Sequence, residues 1–173
     1  MRVAAVPPRY AGSVDSFKGL VIRRATSADA AAVLEVLHSS FEPYRSNYTD
    51  QAYHDTVLTE ETIGPRMEAM RVFVAVAGSE IVGTIACARV NAEEGHLRGM
   101  AVPPNFQGNG LAARLLQVAE DDLKEQGCSR VTLDTTLPLQ RAIRFYETHG
   151  YRRSGKIGDF FGMPLYEYVK ELR

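Results

Sequence analysis

Apolar positions change their period several times along this chain. In AAAVLEVLHSSF, from Ala30, the residues Val33, Leu34, Leu37 and Phe41 recur at steps of three and four, the repeat of a helix with one buried face. LVIRR at 20–24 reads as a strand before it. ATSADA, between the two, offers Thr26 or Ser27 as a helix N-cap and Asp29 for the first turn. Residues 48–70 read as helical, with a break expected at Gly64-Pro65. At residue 71 the period drops to two. RVFVAVA at 71–77 and IVGTIACARV at 81–90, around the turn Gly78-Ser79-Glu80, form a β-hairpin pattern, and HLRGMAV at 96–102 adds a strand. From about Gly110 to Gln126 the helical repeat returns through Leu111, Leu115, Leu116, Ala119 and Leu123, with Gly127 suited to the C′ position. VTLDTT at 131–136 is a strand, 138–149 a helix that Gly150 ends, and strands fit near 151–156 and 164–170.

The resulting order is one strand, two helices, three strands, helix, strand, helix, two strands. A meander running into a β–α–β unit implies an α/β (α+β) domain: a mixed, mostly antiparallel sheet of about seven strands with helices on its faces. Residues 1–18 lack any period and read as a flexible arm before a single domain at 19–173. Composition narrows the classes further. Twenty basic against twenty-one acidic residues, with no Lys/Arg run, argue against a nucleic-acid partner. No apolar stretch reaches the roughly 18 residues of a membrane span, and MRVAAV before Pro7-Pro8 is too short for a signal-peptide core, so no membrane partner and a cytoplasmic location are expected. Cys87 and Cys128 match no metal-ligand spacing and read as small apolar side chains. No metal is expected.

MAVPPNFQGNGLAARLL, from Met100, carries the chemistry. A strand ends at Val102, and Gln107, Gly108, Asn109, Gly110, Leu111 and Ala112 open a helix. Glycines let a ligand approach the backbone, and the first N–H groups of a helix have no partners of their own, so this is a cradle for phosphate. Gly108-x-Gly110-x-x-Ala113, with Asp134 on the next strand, also fits a dinucleotide-binding fingerprint. Four residues stand between Val102 and Gln107, however, and only 39 follow Asp134, too few to complete a doubly wound sheet.

On these residues the chain, from 20 to 172, resembles the GNAT N-acetyltransferase superfamily. Gln107, Gly110 and Ala112 match its Q/R-x-x-G-x-G/A signature, and AIRFYETHGY at 142–151 resembles its second block. Leu139 stands where many members carry a cofactor-contacting Asn; neighbouring Gln140 is a candidate replacement. The resemblance implies acetyl-CoA as co-substrate, an acetyl group moved to an amine by direct attack, and a site between two splayed strands. Met100, Ala101 and Val102 would pair through their backbone with the pantetheine arm. The pyrophosphate would sit on residues 107–112, with Arg114 and Arg141 as candidate outer contacts. Tyr146 resembles the family's acid for the departing thiolate.

The base has two candidates. If the strand is regular, Glu94, His96, Arg98 and Met100 share a face; His96 leads because histidine is mostly neutral at pH 7, and Glu94 is second or a relay. The resemblance gives the acceptor pocket to residues 41–54 and 158–166, rich in aromatics (Tyr44, Tyr48, Tyr53, Phe160, Phe161), with Glu42, Asp50 and Asp159 as acids that would attract a cationic acceptor. A small-molecule or peptide amine is the expected partner, and a homodimer is left open. A catalytically silent acyl-CoA-binding module and a nucleotide-dependent oxidoreductase are the alternatives.

Overall fold

The computed structural model describes residues 19–172, so the arm at 1–18 lies outside the described residues. After β1 (Val21–Arg24) and a short 3-10 turn at Ser27–Asp29 come three helices: α1 (Ala30–Phe41), α2 (Asp50–Val57) and α3 (Glu60–Ala69). The strands β2 (Arg71–Ala77), β3 (Glu80–Arg89) and β4 (Glu94–Ala101) then form the meander. Helix α4 (Leu111–Glu125), β5 (Arg130–Thr135), α5 (Gln140–Thr148), β6 (Arg152–Phe160) and β7 (Met163–Glu171) complete the described chain.

One feature of the helical segment corrects the sequence reading. The break expected at Gly64-Pro65 falls instead at Leu58, whose φ of 61° ends α2. Pro65 sits inside α3 without ending it. A proline within a helix removes one hydrogen bond and crowds one carbonyl. A residue at positive φ has left the helical conformation altogether, and Leu58 packs in the core as it does so. The helices between β1 and β2 therefore number three, not two.

The seven strands form one sheet in the order β1-β2-β3-β4-β5-β7-β6. All neighbours are antiparallel except β4 and β5. This is the mixed, mostly antiparallel sheet the pattern implied, and it is not the doubly wound parallel sheet that the dinucleotide reading needs. Alternation along the strands feeds two cores. Phe73 and Ala75 on β2 join Leu115, Leu116, Leu123, Ile143 and Tyr146 beneath α4 and α5. Val72 and Val74 join Val33, Val36, Leu37, Tyr53 and Ile63 under α1, α2 and α3. Both late helices end as the glycines predicted. Cys128 N–H bonds Leu123 O at 3.0 Å and Gly127 N–H bonds Lys124 O at 2.8 Å; the same pair of bonds closes α5 around Gly150. These are Schellman ends, with φ of 88° and 89° at the two glycines. Cys87 and Cys128 are free and buried.

Candidate functional site

Strand β4 pairs with β5 over only four positions, from Glu94 opposite Arg130 to Leu97 opposite Leu133. Beyond them β4 stays with β3 and β5 stays with β7, so the two strands part. A cleft of about 950 Å³ opens there. Gly99 shapes its wall. Its φ is +59°, and the register with β3 slips between Thr84 and Ala86, the marks of a β-bulge. The bulge changes which side chains share a face. Leu97 lies in the core under α4 and α5, whereas Ala101, four residues on, lies in the core under α1–α3. Met100 packs with the α4–α5 core, while Arg98 reaches Asp55 of α2. The single face expected for Glu94, His96, Arg98 and Met100 is therefore broken at Gly99, because an extra residue in a strand inverts the alternation after it.

The glycine turn after β4 also lines the cleft. Gln107, Gly108, Gly110, Leu111 and Ala112 line it, as do Met100, Ala101 and Val102; Asn109 does not. Gly108 and Gly110 hold φ of +84° and +75°, and a Cβ at either would meet nothing within 4 Å. Gly110 is the N-cap of α4 with no side-chain cap, so the N–H groups of Leu111, Ala112 and Ala113 begin the helix without backbone acceptors among the described residues. The Gln107 amide donates to Val102 O at 2.8 Å and so fastens the turn to the end of β4. Arg141 lines the cleft, whereas Arg114 donates to Leu20 O and does not. Leu139 lines it too. The amide of Gln140 donates to Leu137 O at 2.8 Å, outside the lining.

Of the candidate proton carriers, the structure brings Tyr146 and His96 to the cleft and leaves Glu94 outside its lining. Tyr146 is buried, packs against Phe145 and Tyr151, and its hydroxyl makes no hydrogen bond among the described residues. Burial pushes its phenol well above the ordinary value. At the end of β5, Thr135 also lines the cleft, and its Oγ1 is a buried side-chain oxygen without a hydrogen-bond partner among the described residues. His96 sits across β4–β5 from Thr132 and Asp134. Its Nδ1 lies 2.9 Å from Thr132 Oγ1 and its Nε2 lies 3.6 Å from Asp134 Oδ2. Burial lowers the imidazole pKa, with the Asp134 charge acting against it; burial raises the Asp134 carboxyl in turn. Glu94, where β4 begins, is ion-paired with Arg130 at 2.7 Å.

Around the remaining wall stand Phe41, Tyr44, Tyr48, Phe160 and Phe161. Tyr53 is instead a core residue whose hydroxyl donates to Glu42. Tyr48 shares a 2.7 Å hydrogen bond with Thr136, which fixes the 3-10 segment at Glu42–Asn47 against the end of β5. Glu42 and Asp50 do not line the cleft, and Asp50 pairs with Arg45. Only Asp159 of the three acids singled out in the sequence faces it. Arg66, Asp55, Arg98 and Asp134 also line it and had no signal in the sequence as an acceptor wall, because they come together from α2, α3, β4 and β5.

The arrangement fits a long phosphorylated thioester. It has a helix start with N–H groups left over, an unpaired strand edge, and a phenol and a histidine that both line the gap. Known proteins agree with it. The model of the Acetyltransferase (GNAT) family matches residues 32–151. N-alpha-acetyltransferase 30 of Schizosaccharomyces pombe is 25% identical over 103 residues, 56% of this chain and 69% of that protein. N-acetylaspartate synthetase of Danio rerio is 30% identical over 115 residues, 66% of this chain and 41% of that protein. Against the human N-alpha-acetyltransferase 30 the chain spans only 26% of the relative's length. An acetyltransferase of Streptococcus agalactiae superposes with a TM-score of 0.73 at 19% identity, over 90% of this chain and all of that one. PaiA N-acetyltransferase of Thermoplasma acidophilum, solved in complex with coenzyme A, gives 0.71 at 19% identity, over 88% of this chain and 98% of that one. At these identities the two structures speak for the fold.

Proposed function

The chain belongs to the acetyltransferase (GNAT) family, and on that premise we propose that it moves an acetyl group from acetyl-CoA to a primary amine by direct attack. The observation that carries this reading is the parting of β4 and β5 into one cleft, which holds the start of α4, Tyr146 and His96 together. The N–H groups of Leu111 to Ala113, with Gly108 and Gly110 leaving the backbone bare, hold the pyrophosphate. Arg141 serves the outer phosphates. The backbone of Met100 to Val102 takes the pantetheine arm as an added strand. Acetyl-CoA supplies a thioester carbonyl and a sulfur leaving group; the remaining chemistry belongs to side chains of this protein.

The amine must arrive neutral, since an ammonium has no lone pair, and a free lysine titrates near ~10.4. His96 takes its proton. Thr132 has one hydroxyl proton and Gly95 O accepts it at 3.3 Å, so Nδ1–H of His96 donates to Thr132 and Nε2 is the nitrogen that receives the proton. Burial keeps the imidazole neutral at pH 7. Backbone N–H groups near the Gly99 bulge meet the charge gathering on the carbonyl oxygen. As the C–S bond breaks, the Tyr146 hydroxyl gives its proton to the sulfur, and the proton that the nitrogen sheds on becoming an amide restores the phenol. Burial raises the phenol, but it penalises a thiolate in the same gap as well, so the transfer stays near balance. Glu94, tied to Arg130, is the second choice as base.

A panel of amines with acetyl-CoA, read by thiol release, tests the reading. Tyr146→Phe keeps the packing against Phe145 and Tyr151 and removes a hydroxyl that has no partner. Turnover should fall by roughly 10² to 10⁴-fold with the melting temperature unchanged or slightly higher. A variant within about threefold of wild type would make Tyr146 a packing residue only. Coenzyme A binding by calorimetry with no turnover on any amine would favour the silent module.

A further inference from the structure

One guanidinium in the cleft has no task in the chemistry above. Arg66, near the end of α3, is half-buried and lines the cleft, yet it makes no hydrogen bond or ion pair among the described residues. Its Nη1 stands 3.9 Å from where a Cβ on Gly99 would be. It therefore overhangs the bulge at which β4 leaves β5, on the side of the sheet covered by α1, α2 and α3. Arg98 is beside it, but Arg98 is satisfied by Asp55 at 2.5 Å. The other carboxylates of the cleft are also engaged: Asp134 faces His96, and Asp159 accepts from Gly162 N–H at 3.4 Å. Burial and the nearby Arg98 charge act against the charged form of Arg66 and the Asp55 carboxylate acts for it, but Asp55 is ion-paired with Arg98 and makes no ion pair with Arg66; an arginine remains charged at neutral pH regardless.

A half-buried cation without a partner is costly unless something brought into the cleft completes it. The phosphates of acetyl-CoA are assigned to the start of α4 and to Arg141, on the opposite layer. The same cleft is lined by Tyr44, Tyr48, Phe160 and Phe161, an aromatic surface that brings no cation of its own. We propose that Arg66 anchors a carboxylate of the acceptor, and that the acceptor is a free amino acid with an apolar or aromatic side chain. The carboxylate then sits on the Arg66 fork, the side chain lies against the aromatic wall, and the α-amine is held near His96 and the bulge. The assignment rests on the acetyl-transfer reading. It disfavours polyamines and aminoglycosides, which bring only positive charge toward an unpaired arginine.

Phenylalanine, phenylalaninamide and phenethylamine, compared as acceptors with acetyl-CoA, test it. They share the ring and the amine and differ in the carboxylate. The acid should be preferred over both by ~10 to 100-fold in kcat/KM, the range of hydrogen bonds to a charged group, with most of the difference in KM. Arg66→Met should bring the acid-to-amide ratio close to one, and Arg66→Lys should restore part of it. Equal use of the three by the wild type, or a ratio unmoved in Arg66→Met, overturns the assignment. Calorimetric binding of the same three compounds in the presence of coenzyme A separates the two readings. Preferential binding of the acid that Arg66→Met abolishes, with no thiol release from any amine, would sink acetyl transfer and uphold the carboxylate anchor. No preference in binding would sink the anchor while leaving acetyl transfer to other amines intact.

Discussion

His96 and Asp134 are two residues whose burial works in opposite senses. Desolvation lowers the histidine and raises the carboxylate, and each charge favours the other's charged form. Because the imidazole lies below its ordinary value of ~6.5, its base form exists throughout the neutral range. The acidic limb of the kcat/KM profile should then lie below that value. Asp134→Asn removes a charge that favours the imidazolium, so His96 should become still harder to protonate and the limb should move to lower pH. A limb that moves upward would mean the asparagine holds the ring in a new orientation; one that stays put would mean another group titrates. His96→Gln should flatten the limb and lower turnover, most for amines still protonated at the assay pH.

At the scale of elements, α4 is placed by two glycines used for different reasons. Gly95 on β4 lies under Leu123, where a Cβ would come within 2.5 Å of Leu123 Cδ2 and 2.9 Å of its Cγ. Gly110 has open space around it but a φ of +75°. Gly95→Ala should therefore cost about 1–3 kcal/mol in denaturant unfolding, an overpacking cost, and leave coenzyme A affinity within a few-fold. Gly110→Ala should cost only about 1–2 kcal/mol, the left-handed penalty, but it adds a methyl to a glycine that lines the cleft where the phosphate is proposed to sit. Calorimetry of the folded variant should then show at least a tenfold loss of coenzyme A affinity. Wild-type affinity in Gly110→Ala would move the phosphate site elsewhere. The β6–β7 turn is strained in a related way: Phe161 and Gly162 hold φ of 50° and 85°, and an exposed phenylalanine is kept there, at the cleft, by a bond from Thr49 Oγ1 to its carbonyl.

For the whole molecule, the cleft is also the weak seam of the sheet. Strands β1–β4 and β5–β7 share only four paired positions, so something must hold the halves together behind the gap. Helix α4 packs on β2, β3 and β4, and its buried Glu120 accepts from Tyr151 Oη at 2.8 Å and from Lys170 Nζ of β7 at 2.7 Å. Lys170→Met would leave that carboxylate buried with one donor. Removing one partner of a buried pair costs ~3–5 kcal/mol, and Lys170 is a quarter exposed, so a loss of about 2–3 kcal/mol is expected. Equilibrium denaturation measures it. A cost under about 0.5 kcal/mol, within the range of an exposed pair, would show that the seam is held by apolar packing alone.

The sequence by itself determined the strands, the two late helices and the turn proposed to hold the cofactor. Alternation at 71–90, the 3.6 repeat from Leu111 and the terminating Gly127 and Gly150 are local signals, and local geometry obeys them. The turn from Gln107 to Ala112 is local as well: an anion cradle is made from consecutive backbone groups, so its residues stand together in the chain. Three features depended on tertiary structure. The helix break at Leu58 comes from a buried side chain accepting positive φ, which no propensity marks. The bulge at Gly99 inverts the faces of β4 because the register is set by pairing with β3, so counting parity back from Val102 fails there. The wall proposed for the acceptor is assembled from α2, α3, β4, β5 and the β6–β7 turn, and Arg66, Asp55, Arg98 and Asp134 carry no spacing that announces it. The proposed phosphate site uses neighbours in sequence; the proposed acceptor site uses neighbours in space, which only the folded sheet brings together.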